Sequence, residues 1–495
     1  MIPLQIRKIC KCIAWEHFNY YIQPNKMVKV ARRLAAEYAN YVVVLGKNDL
    51  NNYLTHYKRV KNVTYIYNPI AVDTSDCSSL TDKRAIAVLG CNTVYSTCVN
   101  ANYRIPELTI LFLFLLLLID LRYLTKKVIK KWLIVFIPYY LWNFIIILVS
   151  VPSYKIISYS VKFLIFLPVL SLIILGYARK NNIWKIALQF ENVVLIYSIV
   201  SLVMWILVGL FNVIPSSGEI IASWGGERIY PLYYGIFTTR QTQEFLGITW
   251  IRNQGFFTEG PMYNLVLQIA ICIEAFIGPL NDRKQKYIWN GIDLRKMFIL
   301  IITDITTFTI TGMILLVIIS AFKYYLMSNN SMLVKLLKWI GAILVLIIVL
   351  IIVLIIVNNL FAIKSGTGSW EVRFDDFLAG YKAWKDNILF GNGYDTMDAI
   401  NWHMSTIRAY NTGYSSGIFS ILAQGGIFLI INYIIGFIGY IKYSISLHRF
   451  ELCAMIIIIF IILVTSIFQY TFIMMIILAY GYALLTLEIA KSLRK

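Results

Sequence analysis

The sequence predicts an α-helical polytopic membrane protein with a small α/β segment in front of it. Three observations carry that reading. The chain of 495 residues is 59% hydrophobic and only 14% charged, with mean hydropathy +0.70, whereas soluble chains carry about 25% charged residues. Apolar runs recur from Pro106 onward, several of them as long as the roughly 20 residues that a membrane crossing needs. The basic residues behind the net charge of +20 cluster in short loops between those runs, the pattern of cytoplasmic loops. They form no folded basic patch, which speaks against nucleic acid as a partner.

Residues 1–90 differ in composition from the rest of the chain. Arg32–Ala39 has helical character. Tyr41–Leu45 and Val63–Tyr67 read as short buried strands, the second ended by Asn68-Pro69. Strand, helix and strand at this spacing predict a soluble α/β segment. Trp15-Glu16-His17-Phe18-Asn19, Ala39–Leu45 and Asn68-Pro69-Ile70 resemble the amino-terminal half of a GT-B glycosyltransferase of the glycosyltransferase 4 family. In that family a second Rossmann-like half binds the nucleotide sugar, and here the chain passes into apolar runs before one could form. The resemblance therefore implies a truncated remnant without transferase activity, with Glu16 and His17 as bystanders. Residues 91–105 are the junction.

From residue 106 to 495 the apolar runs are 107–121, 132–151, 157–176, 186–211, 260–280, 297–325, 338–362, 413–441, 451–467 and 469–489, giving about ten or eleven spans. Basic loops hold Arg122 to Lys131, Arg179 to Lys185, Arg283 to Lys296, Lys323 to Lys338, and Lys442 with Arg449. With those loops cytoplasmic, the long polar segments 212–257 and 363–412 both face outward. The 297–325 run has basic loops at both ends and is too short for two full spans. Its centre, Asp304-Ile305-Thr306-Thr307-Phe308-Thr309-Ile310-Thr311-Gly312, is expected to be a re-entrant break, tolerated at depth only inside protein or beside a wet cavity; a single kinked span is the alternative. The basic cluster at 122–131 would leave residues 1–105 outside, against the inner location that a glycosyltransferase fragment implies. The seven cysteines match no zinc or disulfide spacing, and Cys272 and Cys453 read as packing residues.

Candidate chemistry sits in the two outer segments. Arg252 and Glu259 stand at the lip of an apolar run, where charge is costly unless paired or wet. Arg228 and Arg240 are nearby, interleaved with Trp224, Tyr230, Tyr233, Tyr234, Phe237 and Trp250. Arginine forks suit phosphate oxygens, although an interfacial aromatic belt with snorkelling arginines accounts for most of the aromatics. The second segment offers Arg373, with Asp375 and Asp376 as candidate partners for it or Lys382. An amphipathic stripe of Phe377, Tyr381 and Trp384 follows, then Gly391 and Gly393 at turns, His403 and Arg408. His403 is the imidazole available for proton transfer on that side.

Arg252-x-x-Gly255-x-Phe257-x-Glu259-x-Pro261, a Thr-rich break ending Thr311-Gly312, and a later loop ending Phe390-Gly391-Asn392-Gly393 are together similar to Wzy-type O-antigen and capsular repeat-unit polymerases and their ligase relatives. The similarity covers residues 106–490. Glu259-Gly260-Pro261 departs from the commoner Glu-Pro pair, and Asn387-Ile388 from Asn-Pro. The resemblance implies a fold of the GT-C-like polymerase and ligase type in the bacterial cytoplasmic membrane. It implies an inverting glycosyltransferase that joins undecaprenyl-pyrophosphate-linked oligosaccharides on the outer face. Its partners would be membrane lipid, a flippase and a chain-length regulator. On this reading Arg252 and Arg373, backed by Arg240 and Arg408, hold pyrophosphate and glycan, and Glu259 or His403 is the base. No cofactor or metal is expected. An O-antigen ligase and a flippase or transporter are the other readings; the latter predicts repeats and mid-membrane charges.

Overall fold

A computed structural model describes residues 13–15, 32–33, 36–37, 41–44, 47–57, 63–65, 94, 124–223, 227–245, 248–281, 293–326, 369–405, 413–447 and 450–492. The predicted runs 107–121 and 338–362, as well as Trp224 and Arg408, lie outside the described residues. The chain forms two compact units, Met1–Ser78 and Ser79–Lys495.

In the first unit, strands β1 (Ile13–Trp15), β2 (Tyr41–Val44) and β3 (Val63–Tyr65) make a parallel sheet in that order. Val42, Val43 and Val44 are all buried, as the central strand of a parallel sheet requires. Helix α1 (Lys47–His56) joins β2 to β3 and packs Leu50, Tyr53 and, just beyond it, Tyr57 on the sheet side. The sequence reading predicts no helix there, where Asn and Asp are weak helix formers, although Leu50, Tyr53, Leu54 and Tyr57 fall at helical spacing.

The second unit is helical. Helices α2 (Lys126–Ser150), α3 (Ser153–Arg179) and α4 (Lys185–Leu210) are long and apolar enough to cross a membrane. Leu141, Leu148 and Ile157 are exposed, apolar surface of the kind that lipid would cover. Buried polar side chains tie the helices instead: Tyr159 of α3 donates to Asn143 of α2 at 2.5 Å, as expected where packing has little hydrophobic drive.

The polar segment after α4 is not irregular. It folds into β4 (Gly218–Ser223), β5 (Glu227–Tyr233) and β6 (Phe237–Thr238), an antiparallel sheet, followed by the hairpin β7 (Thr242–Phe245) and β8 (Ile248–Ile251). Helix α5 (Gly260–Ile277) comes next and is buried from Met262 to Ile277, more completely than the other candidate spans.

Helices α6 (Leu294–Thr306) and α7 (Ile310–Leu326) replace the single 297–325 run. Contacts with α5 show their direction. The backbone N–H of Asp293 donates to Glu274, near the end of α5, whereas Asp304 meets Asn264 and Gln268 near its start. Gly312 again lies against Asn264 and Gln268, and Lys323 reaches the Ala275 carbonyl. The segment rises along α5, breaks at Thr307–Thr309 and returns as a helical hairpin, not as one kinked helix.

The second polar segment holds α8 (Ser369–Asp386) and α9 (Asp398–His403). Its aromatic stripe only half-packs: Phe377 and Tyr381 meet Phe419 edge-on, while the fully buried positions are Asp376, Ala379 and Ala383. Helix α10 (Gly417–Leu447) is interrupted at Gly426, where φ is +61°. A side chain there would strike the Leu389 carbonyl. The backbone groups freed by the break pair with the preceding loop: Ile427 and Phe428 N–H donate to Ile388 and Leu389, and the Ala423 and Gln424 carbonyls accept from Asn392 and Gly393. Helices α11 (Glu451–Thr465) and α12 (Phe472–Ser492) complete the unit. At 15 residues, α11 falls short of a full crossing. Among the described residues, six helices (α2 to α5, α10 and α12) are long and apolar enough to span a membrane, which is compatible with a polytopic helical membrane protein.

Candidate functional site

The stretch Arg252–Gly260 dips from β8 onto the hairpin tip and is buried from Asn253 to Thr258. Its polar groups are consumed in holding that path. Asn253 donates from its backbone to the Thr306 carbonyl (2.9 Å) and from its side chain to the Thr306 hydroxyl (3.0 Å). Gln254 accepts from the N–H groups of Arg240 and Gln241. Phe256 N–H donates to the Tyr197 hydroxyl at 2.7 Å, and the Phe256 carbonyl accepts from the Val94 N–H.

Arg252 is anchored at the tip. Its Nε donates to the Thr307 carbonyl at 2.8 Å and one Nη to the Thr309 hydroxyl at 3.0 Å. The Thr307 carbonyl is an acceptor left over where α6 ends, and a cation at a helix C-terminus is favoured by the helix dipole. The guanidinium also lies against Gly260, the first residue of α5. Burial pushes its pKa down from the ordinary arginine range, and the nearby Glu259 charge pulls it back up; it stays charged, as arginine does in proteins.

Glu259 caps α5 in extended conformation, its carbonyl accepting from Met262 and Tyr263 while its side chain does not cap. That side chain instead pairs with Arg228 at 3.9 Å, both groups being about a quarter to a third exposed. Strand alternation on β5 puts Arg228 and Tyr230 on one face, and Arg240 lies over the Tyr230 ring, 5.2 Å from its centroid. Burial raises the pKa of the Tyr230 phenol, opposed by Arg240 and Arg228. Three arginines, one carboxylate and a tyrosine therefore share one partly open locale. Such a site has excess positive charge, fixed forks and one carboxylate, which suits an anionic ligand carrying a group to be deprotonated.

The other expected residues form a separate set. His403, on α9, has its Nε2 2.6 Å from an Asp386 carboxylate oxygen on α8, an imidazole oriented by a carboxylate. Asp375 accepts from the Ser405 N–H and Asp376 from the Ser415 hydroxyl. Arg373 stands half-buried on the same helix.

Some participants escape the sequence reading. Gln241 accepts from the Gly260 N–H at 3.0 Å and fixes the start of α5. Asn264 and Gln268 bind Asp304 beneath the tip. Two amides four residues apart in an apolar helix lie on one face, and their burial in a membrane protein is a usable signal. Away from this locale, Lys155 at the start of α3 pairs with Asp395 at 2.7 Å. Among the described residues no group of three or more His, Cys, Asp or Glu is placed to hold a metal ion. No family model, no curated protein and no solved structure matches the chain.

Proposed function

We propose that the chain is a multi-pass membrane glycosyltransferase. On this reading it polymerises undecaprenyl-pyrophosphate-linked repeat units into O-antigen or capsular polysaccharide on the outer face of the bacterial cytoplasmic membrane. The observation that supports it best is the gathering of Arg228, Arg240 and Arg252 around Glu259 at the mouth of α5. Transfer from a lipid pyrophosphate expels a polyanion, and fixed guanidinium forks stabilise its developing charge without reorganising. The acceptor hydroxyl must lose a proton as the new glycosidic bond forms with inversion. Glu259 takes that proton; the His403–Asp386 pair is the second candidate. Arg373 and Arg408 would hold glycan or phosphate along the second outer segment.

The test is chain growth in cells that make the lipid-linked repeat. Glu259→Gln keeps shape and removes the base, so lipid carrier bearing single repeats should accumulate with no ladder of longer chains. A normal ladder in Glu259→Gln moves the base to His403, and His403→Gln decides that. If both variants and Arg252→Lys all give normal ladders, the polymerase reading fails. Single-repeat glycan moved onto another lipid, without lengthening, would make the protein a ligase.

A further inference from the structure

Beneath the arginine cluster the hairpin carries a carboxyl group in an unusual setting. Asp304 is 1% exposed and Gln268 is wholly buried. The Oδ1 atom of Asp304 accepts two amide N–H groups, from Asn264 at 2.6 Å and Gln268 at 2.9 Å, which fills its lone pairs. Its other oxygen, Oδ2, and the Gln268 Oε1 are both without a hydrogen-bond partner among the described residues. Two buried acceptors on side chains already joined by the Gln268-to-Oδ1 bond lack one hydrogen. An ionised carboxylate held only by neutral amides is costly in an interior of this kind.

Among the described residues, the neighbouring ionisable groups do not supply a counter-charge. Tyr263 on α5 is engaged with Ser201, and Arg252 spends its contacts on Thr307 and Thr309. On α4, Lys185 lies over the Tyr177 ring and Glu191 binds Lys296. Lys296 is eight residues, about 12 Å along the helix, from Asp304. Glu274 and Lys323 lie at the far end of the hairpin.

We propose that Asp304 is a proton-binding site: its carboxyl is carried protonated on Oδ2, and that O–H donates to Gln268 Oε1, closing a reciprocal acid–amide pair. The proton comes from water and returns to it when the site empties. A proton satisfies this site with one donor and one acceptor. A bare metal cation would want several more oxygens, and those at hand are already used: the Gly312 carbonyl accepts from Gln268, and the Asp304 carbonyl from Thr307. The site is wired to the surface. Asn264 also donates to the Thr307 hydroxyl (3.2 Å), which lies 3.0 Å from the Thr309 hydroxyl that accepts from Arg252. Emptying the site thus puts a negative charge at one end of a hydrogen-bond chain whose other end is Arg252. Proton binding at Asp304 does not depend on the polymerase reading.

The experiment is infrared difference spectroscopy of the full chain in detergent, wild type minus Asp304→Asn, in sodium-free buffer near neutral pH. Asparagine reproduces the donor and acceptor of the neutral acid, so Asp304→Asn should fold, with an unchanged helical amide signal. The wild type should show a protonated-carboxyl C=O band that the variant lacks and that alkaline pH removes. In Gln268→Leu the same band should move to higher frequency, because its O–H has lost its acceptor. Absence of the band in folded wild type overturns the proposal. So does its loss on adding sodium chloride but not choline chloride, which would assign the site to a metal cation.

Discussion

At the scale of single residues, Arg252 does two jobs that substitution can separate. Its fork ties the Arg252–Gly260 stretch to the hairpin tip through Thr307 and Thr309, and on the proposed function its charge also serves the leaving pyrophosphate. Thr309→Val removes one acceptor and leaves a half-buried guanidinium donor unmet, a loss of about 1–3 kcal/mol. It should lower the thermal unfolding temperature of the purified protein while leaving chain growth measurable. Arg252→Lys keeps the charge but cannot make the bidentate contact. A charge contact to a leaving pyrophosphate is worth on the order of 2–4 kcal/mol, so chain growth should fall roughly 30- to 1000-fold. If Thr309→Val and Arg252→Lys reduce activity equally, Arg252 acts only through the tip. Arg252 and Glu259 were legible in the sequence as charges at an apolar lip. Their partners were not, since Arg228 comes from a strand and Thr307 from a hairpin far along the chain.

At the scale of elements, the membrane unit relies on broken helices whose freed backbone groups are met by loops. The interruption of α10 is the clearest. Gly426 holds a positive φ with an extended ψ, a region open essentially to glycine alone, and its Cα faces the Leu389 carbonyl, so Gly426→Ala combines backbone strain of about 1–3 kcal/mol with a backbone clash. The expected result is a loss of at least about 2 kcal/mol of stability or failure to recover folded protein from the membrane, read by size-exclusion chromatography. Gly436→Ala, facing the Leu478 side chain within the same helix, should be milder, because a side chain can move where a carbonyl held by Phe428 cannot. Equal damage from the two would mean that the break is unimportant. The hairpin of α6 and α7 was foreseeable from arithmetic: basic loops at both ends of a run too short for two spans. The sheet of β4 to β6 was missed, because Gly, Pro and Ser punctuate its strands and its exposed face carries apolar Ile221 and Ile229, which hides the alternation.

At the scale of the whole molecule, the division at Ser78 and the loop charges give predictions about the intact chain. A chain starting at Ser79 should insert at normal abundance, since the membrane unit has its own core. On the reading of the first unit as a truncated glycosyltransferase remnant, chain growth should persist in that shortened chain. Loss of growth at normal abundance would give the first unit a role. Reporters placed after Gly225 and Asn387 should be exposed outside, and those after Lys284 and Leu447 inside. An inside signal from either polar segment contradicts the placement of both candidate sites on the outer face.

Composition and hydropathy by themselves determined that this is a chain of apolar helices with charged loops, and where most of those helices begin. They could do so because a membrane span is a local property: some 20 consecutive residues satisfy their backbone hydrogen bonds internally and bury apolar surface wherever they sit. The buried valines of β2 and the lip charges at 252 and 259 are local in the same sense. Only the tertiary structure decided that α6 and α7 fold back beside α5 and that the 252–260 stretch sinks onto their tip. It alone brings Arg228 to Glu259, His403 to Asp386 and two amides to Asp304. Those contacts join residues from 17 to 40 positions apart, and the sequence between them carries no signal of the pairing. They exist because a polar group carried into an apolar interior must find its partner there, and which partner it meets is set by how the helices pack.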